Sequence, residues 1–155
     1  MAQLKEALKS DLVTALKAKD TTRLATLRMV LAAVTNEEVA GKEARELSDE
    51  EVQRVLTREA KKRKEAAEAF DNAGRAEQAA AERAEADVIS EYLPKQLSDD
   101  ELAAVVAEAV AEITEQLGSA PGQKQMGQVM KAATAKVAGR AEGGRVAAAV
   151  RARLS

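Results

Sequence analysis

Roughly a fifth of this chain is alanine and its only aromatic residues are Phe70 and Tyr92, a composition that limits the fold more than any other feature because Ala is the best helix former and buries little area. A core made largely of such residues needs elements that approach one another closely. Glu, Lys, Arg and Leu make up much of the remainder, and they favour helices too. The aromatic and Thr-rich runs that favour strands are missing. The chain is therefore expected to be all-α. At 155 residues it can form one domain or two small ones, with a modest core. There is no Cys and no His, which excludes disulfides, thiolate nucleophiles, imidazole bases and the usual zinc sites.

Apolar spacing and stop signals divide the chain into helices. Leu4, Leu8, Leu12 and Leu16, with Val13 beside them, form one apolar stripe. Asp20 suits the N-cap of a second helix, whose face carries Leu24, Leu27, Leu31 and Val34, with Gly41 at or just past its end. In "ELSDEEVQRVL" the Ser48 side chain can cap the N–H of Glu51 while Glu51 reaches back, and Leu47 and Val52 are placed as a hydrophobic staple. The same device recurs at "QLSDDELAAVV" with Ser98, Glu101, Leu97 and Leu102. The flanking sequences differ, so these are two helix starts and not a repeated domain.

The helix after Ser48 is expected over residues 49–71, stopped by Gly74. A fourth begins near Arg75 and carries Val88, Ile89 and Leu93 up to Pro94. "EYLPKQLSDDEL" then reads as a hinge. It separates an N-terminal bundle of about four helices, residues 1–94, from a small three-helix C-terminal domain, residues 95–155. In the second part a helix over residues 99–117 stops at Gly118, and Pro121 suits the first turn of a helix over residues 123–137. Met126, Val129, Met130, Ala133 and Val137 make its core stripe. Gly139 fits its stop, and a last helix from Gly143 places Val146, Val150 and Leu154 on one face. Gly127 is different, because inside a helix it costs about 0.8–1 kcal/mol relative to Ala. A close helix crossing or a ligand backbone packed against it would account for that cost; simple tolerance is the other reading.

The net charge of −2 hides a strong pattern. Residues 96–121 hold six acids and no base, whereas residues 122–155 hold seven bases and one acid, Glu142. A second basic knot, "RVLTREAKKRK", spans residues 54–64, where alternating charges and pairs such as Lys61 with Glu65 read as a solvated face. Catalytic machinery is hard to find. The carboxylates lie on solvent faces, "GRAEGGR" lacks the context of a phosphate loop, and the serines have no His partner. The C-terminal cations are the stronger signal. Lys124, Lys131, Arg140, Arg145 and Arg151 fall mostly off the Met/Val stripe and can form one positive face suited to phosphate. A helix start near Gly143 would add backbone N–H groups for an anion. With no aromatic nearby, RNA would be read by shape and backbone. The alternative is a solvated face that mates with the acidic helix before it.

"RLATLRMVLAAVTNEEV", "LSDEEVQRVLTREAKKRKEAAEAFDNAGR", "EADVISEYLPKQLSDDEL" and "MGQVMKAATAKVAGRAEGGRV" resemble, in order and over essentially the whole chain, the landmarks of the GatB/YqeY family. These are YqeY-like proteins, similar to the C-terminal tail of the B subunit of the aspartyl/glutamyl-tRNA amidotransferase. The resemblance implies an all-helical protein of two parts and a tail that helps hold tRNA near its outer corner. It points to Lys124, Lys131, Lys136, Arg140 and Arg145 as phosphate contacts, and to Met126, Gly127, Met130, Gly139, Gly143, Tyr92 and Pro94 as structural landmarks. Glu142 stands where the family usually has Asp, and Thr134 and Ala135 stand where a larger apolar residue and a Pro are common. The amidotransferase's catalytic part, with its ATP and metal site, has no counterpart in these residues.

The expectation is a tRNA- or RNA-binding accessory protein. One alternative is an amidotransferase-associated component, with carbon–nitrogen ligase activity from glutamine only alongside partner subunits. The other is a protein–protein interaction module. No catalytic residue, cofactor, metal or membrane contact is expected, and a cytoplasmic location is, since the N-terminus does not read as a signal peptide and no run is long and apolar enough for a span.

Overall fold

A computed structural model describes residues 2–155. Among these residues it is all-α: α1 (Gln3–Ala18), α2 (Thr21–Glu38), α3 (Asp49–Asn72), α4 (Ala76–Ser90), α5 (Asp99–Leu117), a 3₁₀ turn (Gln123–Gln125), α6 (Met126–Val137) and α7 (Gly143–Leu154). The helices gather into two compact units, one ending at Leu93 and one running from Pro94 to Ser155.

In the first unit α1 pairs with α2 and α3 with α4, and the α3–α4 pairing is the more extensive. Ala60 and Ala67 on α3 and Ala79 and Ala86 on α4 are all buried. Small side chains at these positions let the two axes close up. Larger aliphatics fill the rest of the core: Leu8, Leu27, Val30, Val34, Leu47, Val52, Val55, Leu56 and Ile89. Both expected caps form. The Asp20 carboxylate accepts from the Arg23 N–H at 3.1 Å. Ser48 and Glu51 make the reciprocal capping box, and the staple residues Leu47 and Val52 are buried. Tyr92 donates its phenol O–H to Asp11 at 2.5 Å. Burial first, and the Asp11 carboxylate second, push that phenol's pKa upward.

Several expectations need correction here. The apolar stripe of α1 does not reach Leu16: Leu16 and Val13 are 54% and 50% exposed. Ala15 turns inward in their place, because the register that buries Leu8 returns seven residues on. The α4 helix ends at Ser90. Glu91, Tyr92 and Leu93 continue as a tighter turn, each N–H bonding the carbonyl three residues back, before Pro94. The basic knot of α3 is not wholly solvated either. Arg63 is only 4% exposed, since it follows Leu56 and Ala60 on the buried stripe. Its guanidinium donates to the Glu59 carbonyl and carboxylate and to Glu85, at 2.8–3.2 Å. A buried acid, Glu38, accepts from Lys5 at 2.7 Å and from the Leu47 N–H at 3.3 Å.

The second unit is built differently. Its core is aliphatic throughout: Leu97, Leu102, Val106, Ala109, Ile113, Val129, Ala133, Val137, Val146 and Val150. Met126 and Met130 pack against it partly buried. Ser98 and Glu101 form the second capping box. Gly118 ends α5 at φ +76°, a conformation that favours glycine. The C-terminal end of α6 takes two left-handed residues, Ala138 and Gly139. Pro121 is not in a first helical turn; it is buried two residues ahead of the 3₁₀ turn. That turn is capped by the Gln125 side chain, which accepts from the Gly122 N–H at 2.8 Å.

Candidate nucleic-acid interface

The expected cationic face lies wholly in the second unit, and the fold sorts its members into two groups. Lys136, Arg140 and Arg145 are engaged in holding the unit together. Lys136 leaves α6 toward α5 and pairs with Glu112 at 3.0 Å. The hydrogen bond with that carboxylate raises the ammonium pKa above its ordinary range. Arg140 folds back over the end of α6, donating to the carbonyls of Val137 (2.9 Å) and Lys136 (2.8 Å). It thus satisfies two carbonyls that a helix end leaves without partners. Arg145, in the first turn of α7, donates to the Leu97 carbonyl at 2.9 Å and to Asp99 at 3.0 Å. The mating of the basic segment with the acidic helix is therefore real for Lys136 and Arg145, and it goes no further.

Lys124, Lys131, Arg151 and Arg153 form the second group. All four are exposed, and none has a hydrogen-bond or ion-pair partner among the described residues. Arg151 belonged to the expected face; Arg153 was not singled out, although its place among the exposed residues closing α7 was the available signal. Neither α6 nor α7 contains a carboxylate. Nothing on these helices neutralises the free cations.

The exposed side of α6 carries Gly127, Gln128, Lys131, Thr134 and Ala135. Lys124, in the preceding turn, continues it, since positions 124, 128, 131 and 135 recur at helical spacing. A side chain built at Gly127 would meet no atom within 4 Å. The close helix crossing considered for this glycine is thereby ruled out within the second unit.

The α7 start departs from the expected anion site. Glu142 occupies the N-cap position in extended conformation without a side-chain capping bond, and its carboxylate lies 3.4 Å from where a Cβ on Gly144 would sit. An acid of the chain itself already stands at the positive end of this helix. Gly143 and Gly144 are both exposed. Gly139, at φ +81°, shapes the α6–α7 turn, and its carbonyl accepts from the Gln96 side chain at 3.4 Å.

Among the described residues no group of three or more His, Cys, Asp or Glu could hold a metal ion, and no helix is long and apolar enough to cross a membrane. No curated protein matches the chain. A family model described as Yqey-like protein matches residues 5–154, both helical units included, so the chain belongs to the YqeY-like family.

Proposed function

We propose that this protein is an accessory factor that binds tRNA, a cytoplasmic ligand, through phosphate contacts from the second unit. The observation that carries the reading is the set of four exposed, unpartnered cations, Lys124 in the 3₁₀ turn, Lys131 on α6, and Arg151 and Arg153 on α7, with no acid in any of these three elements. Each contact with phosphate releases counterions, so affinity falls with salt. Lys136, Arg140 and Arg145 serve chiefly to fix the frame, and any phosphate they touch is shared with the partners they already hold.

The test is fluorescence anisotropy of labelled tRNA at two salt concentrations. Four phosphate contacts give a log–log salt slope of about −3, or roughly 60-fold weaker binding between 50 and 200 mM salt. Reversal of both lysines, Lys124→Glu with Lys131→Glu, removes about two contacts from that slope. A wild-type protein that fails to bind at the lower salt defeats the reading.

A second reading has its own observation. Val13 and Leu16 expose large apolar side chains on α1, as a protein-docking surface does. It predicts a complex in cell extract that survives nuclease treatment and is lost on Leu16→Glu. Association with amidotransferase subunits is one form of it. Amide transfer from glutamine would then appear only with those subunits present.

A further inference from the structure

We infer that Gly127 is the point of closest approach of the bound RNA backbone, which crosses α6 between Lys124 and Lys131. The inference rests on the tRNA-binding reading and deepens it by naming where and how the ligand seats. Glycine is among the poorest residues for a helix; one can be tolerated, and where it serves a purpose that purpose is packing or function. Packing within the second unit does not call for it. Gly127 is the second residue of α6, separated from the 3₁₀ turn by Met126, has no positive φ, is exposed, and faces open space where a side chain would stand. A local rule broken without an internal gain marks a place where the gain lies outside the molecule.

The surroundings say what that outside partner is. Lys124 and Lys131 lie three residues before and four residues after Gly127, on the same side of the helix, about 10 Å apart along the axis. Neither has a partner among the described residues. Gln128, exposed beside the glycine, can donate to or accept from a phosphate or a 2′-hydroxyl. The exposed residues of α6 are otherwise Thr134 and Ala135, so the face offers no large apolar anchor. A protein interface draws its affinity from such anchors. A face of two cations, an amide and a bare stretch of backbone instead suits the sugar–phosphate edge of a shallow RNA minor groove, read by shape.

The test sets stability against binding. Gly127→Ala and Gly127→Leu are each compared with wild type by thermal unfolding and by tRNA anisotropy at 50 mM salt. Ala104→Leu, on the exposed side of α5, controls for added bulk. Both Gly127 variants should melt higher, Gly127→Ala by roughly 2–5 °C, because helix propensity improves and nothing clashes. Gly127→Leu should bind about tenfold more weakly, as a side chain that lifts the ligand away forfeits the short-range contacts. Ala104→Leu should bind as wild type does. If wild type binds and Gly127→Leu binds equally well, this inference falls and the tRNA reading stands. If wild type does not bind, both fall together. If Gly127→Ala melts lower than wild type, the glycine has a structural role and the inference is overturned.

Discussion

The two units use charge in opposite ways. In the first, ionic groups are drawn inside: Arg63 is held between Glu59 and Glu85, and Glu38 bonds Lys5 and the Leu47 amide. In the second, the core is purely aliphatic and every charge is on or near the surface, some paired and some not. A buried ion pair is a demanding constraint, since either partner alone is left desolvated. An exposed pair contributes little to stability and is easily exchanged for another ligand. The buried charge of the first unit therefore specifies packing, and unpaired charge in the second remains available to a partner.

The sharpest way to break this contrast is Arg63→Met. Removing the guanidinium leaves Glu59 and Glu85 facing an apolar side chain, and stability in urea should drop by about 2–4 kcal/mol. A variant as stable as wild type would erase the distinction between the units. Next comes Glu38. Replacement by Ala deprives a buried backbone amide and a half-buried ammonium of their acceptor, at about 2 kcal/mol.

Glu38 also carries a pH signature. The hydrogen bond from Lys5, working against burial, holds its carboxyl below the ordinary value of 4.5. A depressed folded-state pKa stabilises the fold fully above the unfolded value, and that contribution is lost as pH falls through the lower folded value. Acid titration should therefore show a loss of stability below pH 4.5 that is smaller in Glu38→Gln, where only the other paired carboxylates contribute.

Of smaller effect, Ser48→Ala and Ser98→Ala should each cost about 1 kcal/mol, visible as faster amide exchange confined to the unit that holds the cap. Smallest of all is the stability change for Lys124→Glu with Lys131→Glu, within about 0.5 kcal/mol. A larger loss would mean that these lysines hold the second unit together and are not free for a ligand.

Much of the fold was legible because its signals are local. The two Ser-x-x-Glu starts, the Asp20 cap and the Gly118 stop all act within one helical turn, and each appears where the residues imply. Arg63 was legible in principle. Positions 56, 60, 63 and 67 share one face of a helix, so an arginine in that series faces the core whatever its neighbours in sequence suggest. The sorting of the C-terminal cations was not legible. It depends on Glu112 of α5 lying opposite Lys136, and on the Leu97 carbonyl falling beside Arg145. Those are tertiary coincidences with no trace in spacing. The charge block told where a surface would be, and only packing told which of its members are free.

The bonds that bring Gln96 and Leu97 onto the α6–α7 turn have a consequence for biosynthesis. The Leu97 N–H reaches the Arg140 carbonyl at 2.7 Å, the Gln96 side chain reaches Gly139, and Arg145 reaches back to Leu97, joining positions 43 to 48 apart in sequence. Closing a loop of that length costs entropy before any bond rewards it, and such long-range contacts slow folding. The first unit can acquire its core on the ribosome once α4 has emerged. The second cannot fasten its two ends until residues 140–145 are out of the exit tunnel. A fragment ending at residue 130 and freed from the ribosome would thus carry a finished N-terminal bundle and an unclasped α5, and limited proteolysis of it would cut after residue 95 and spare what precedes it.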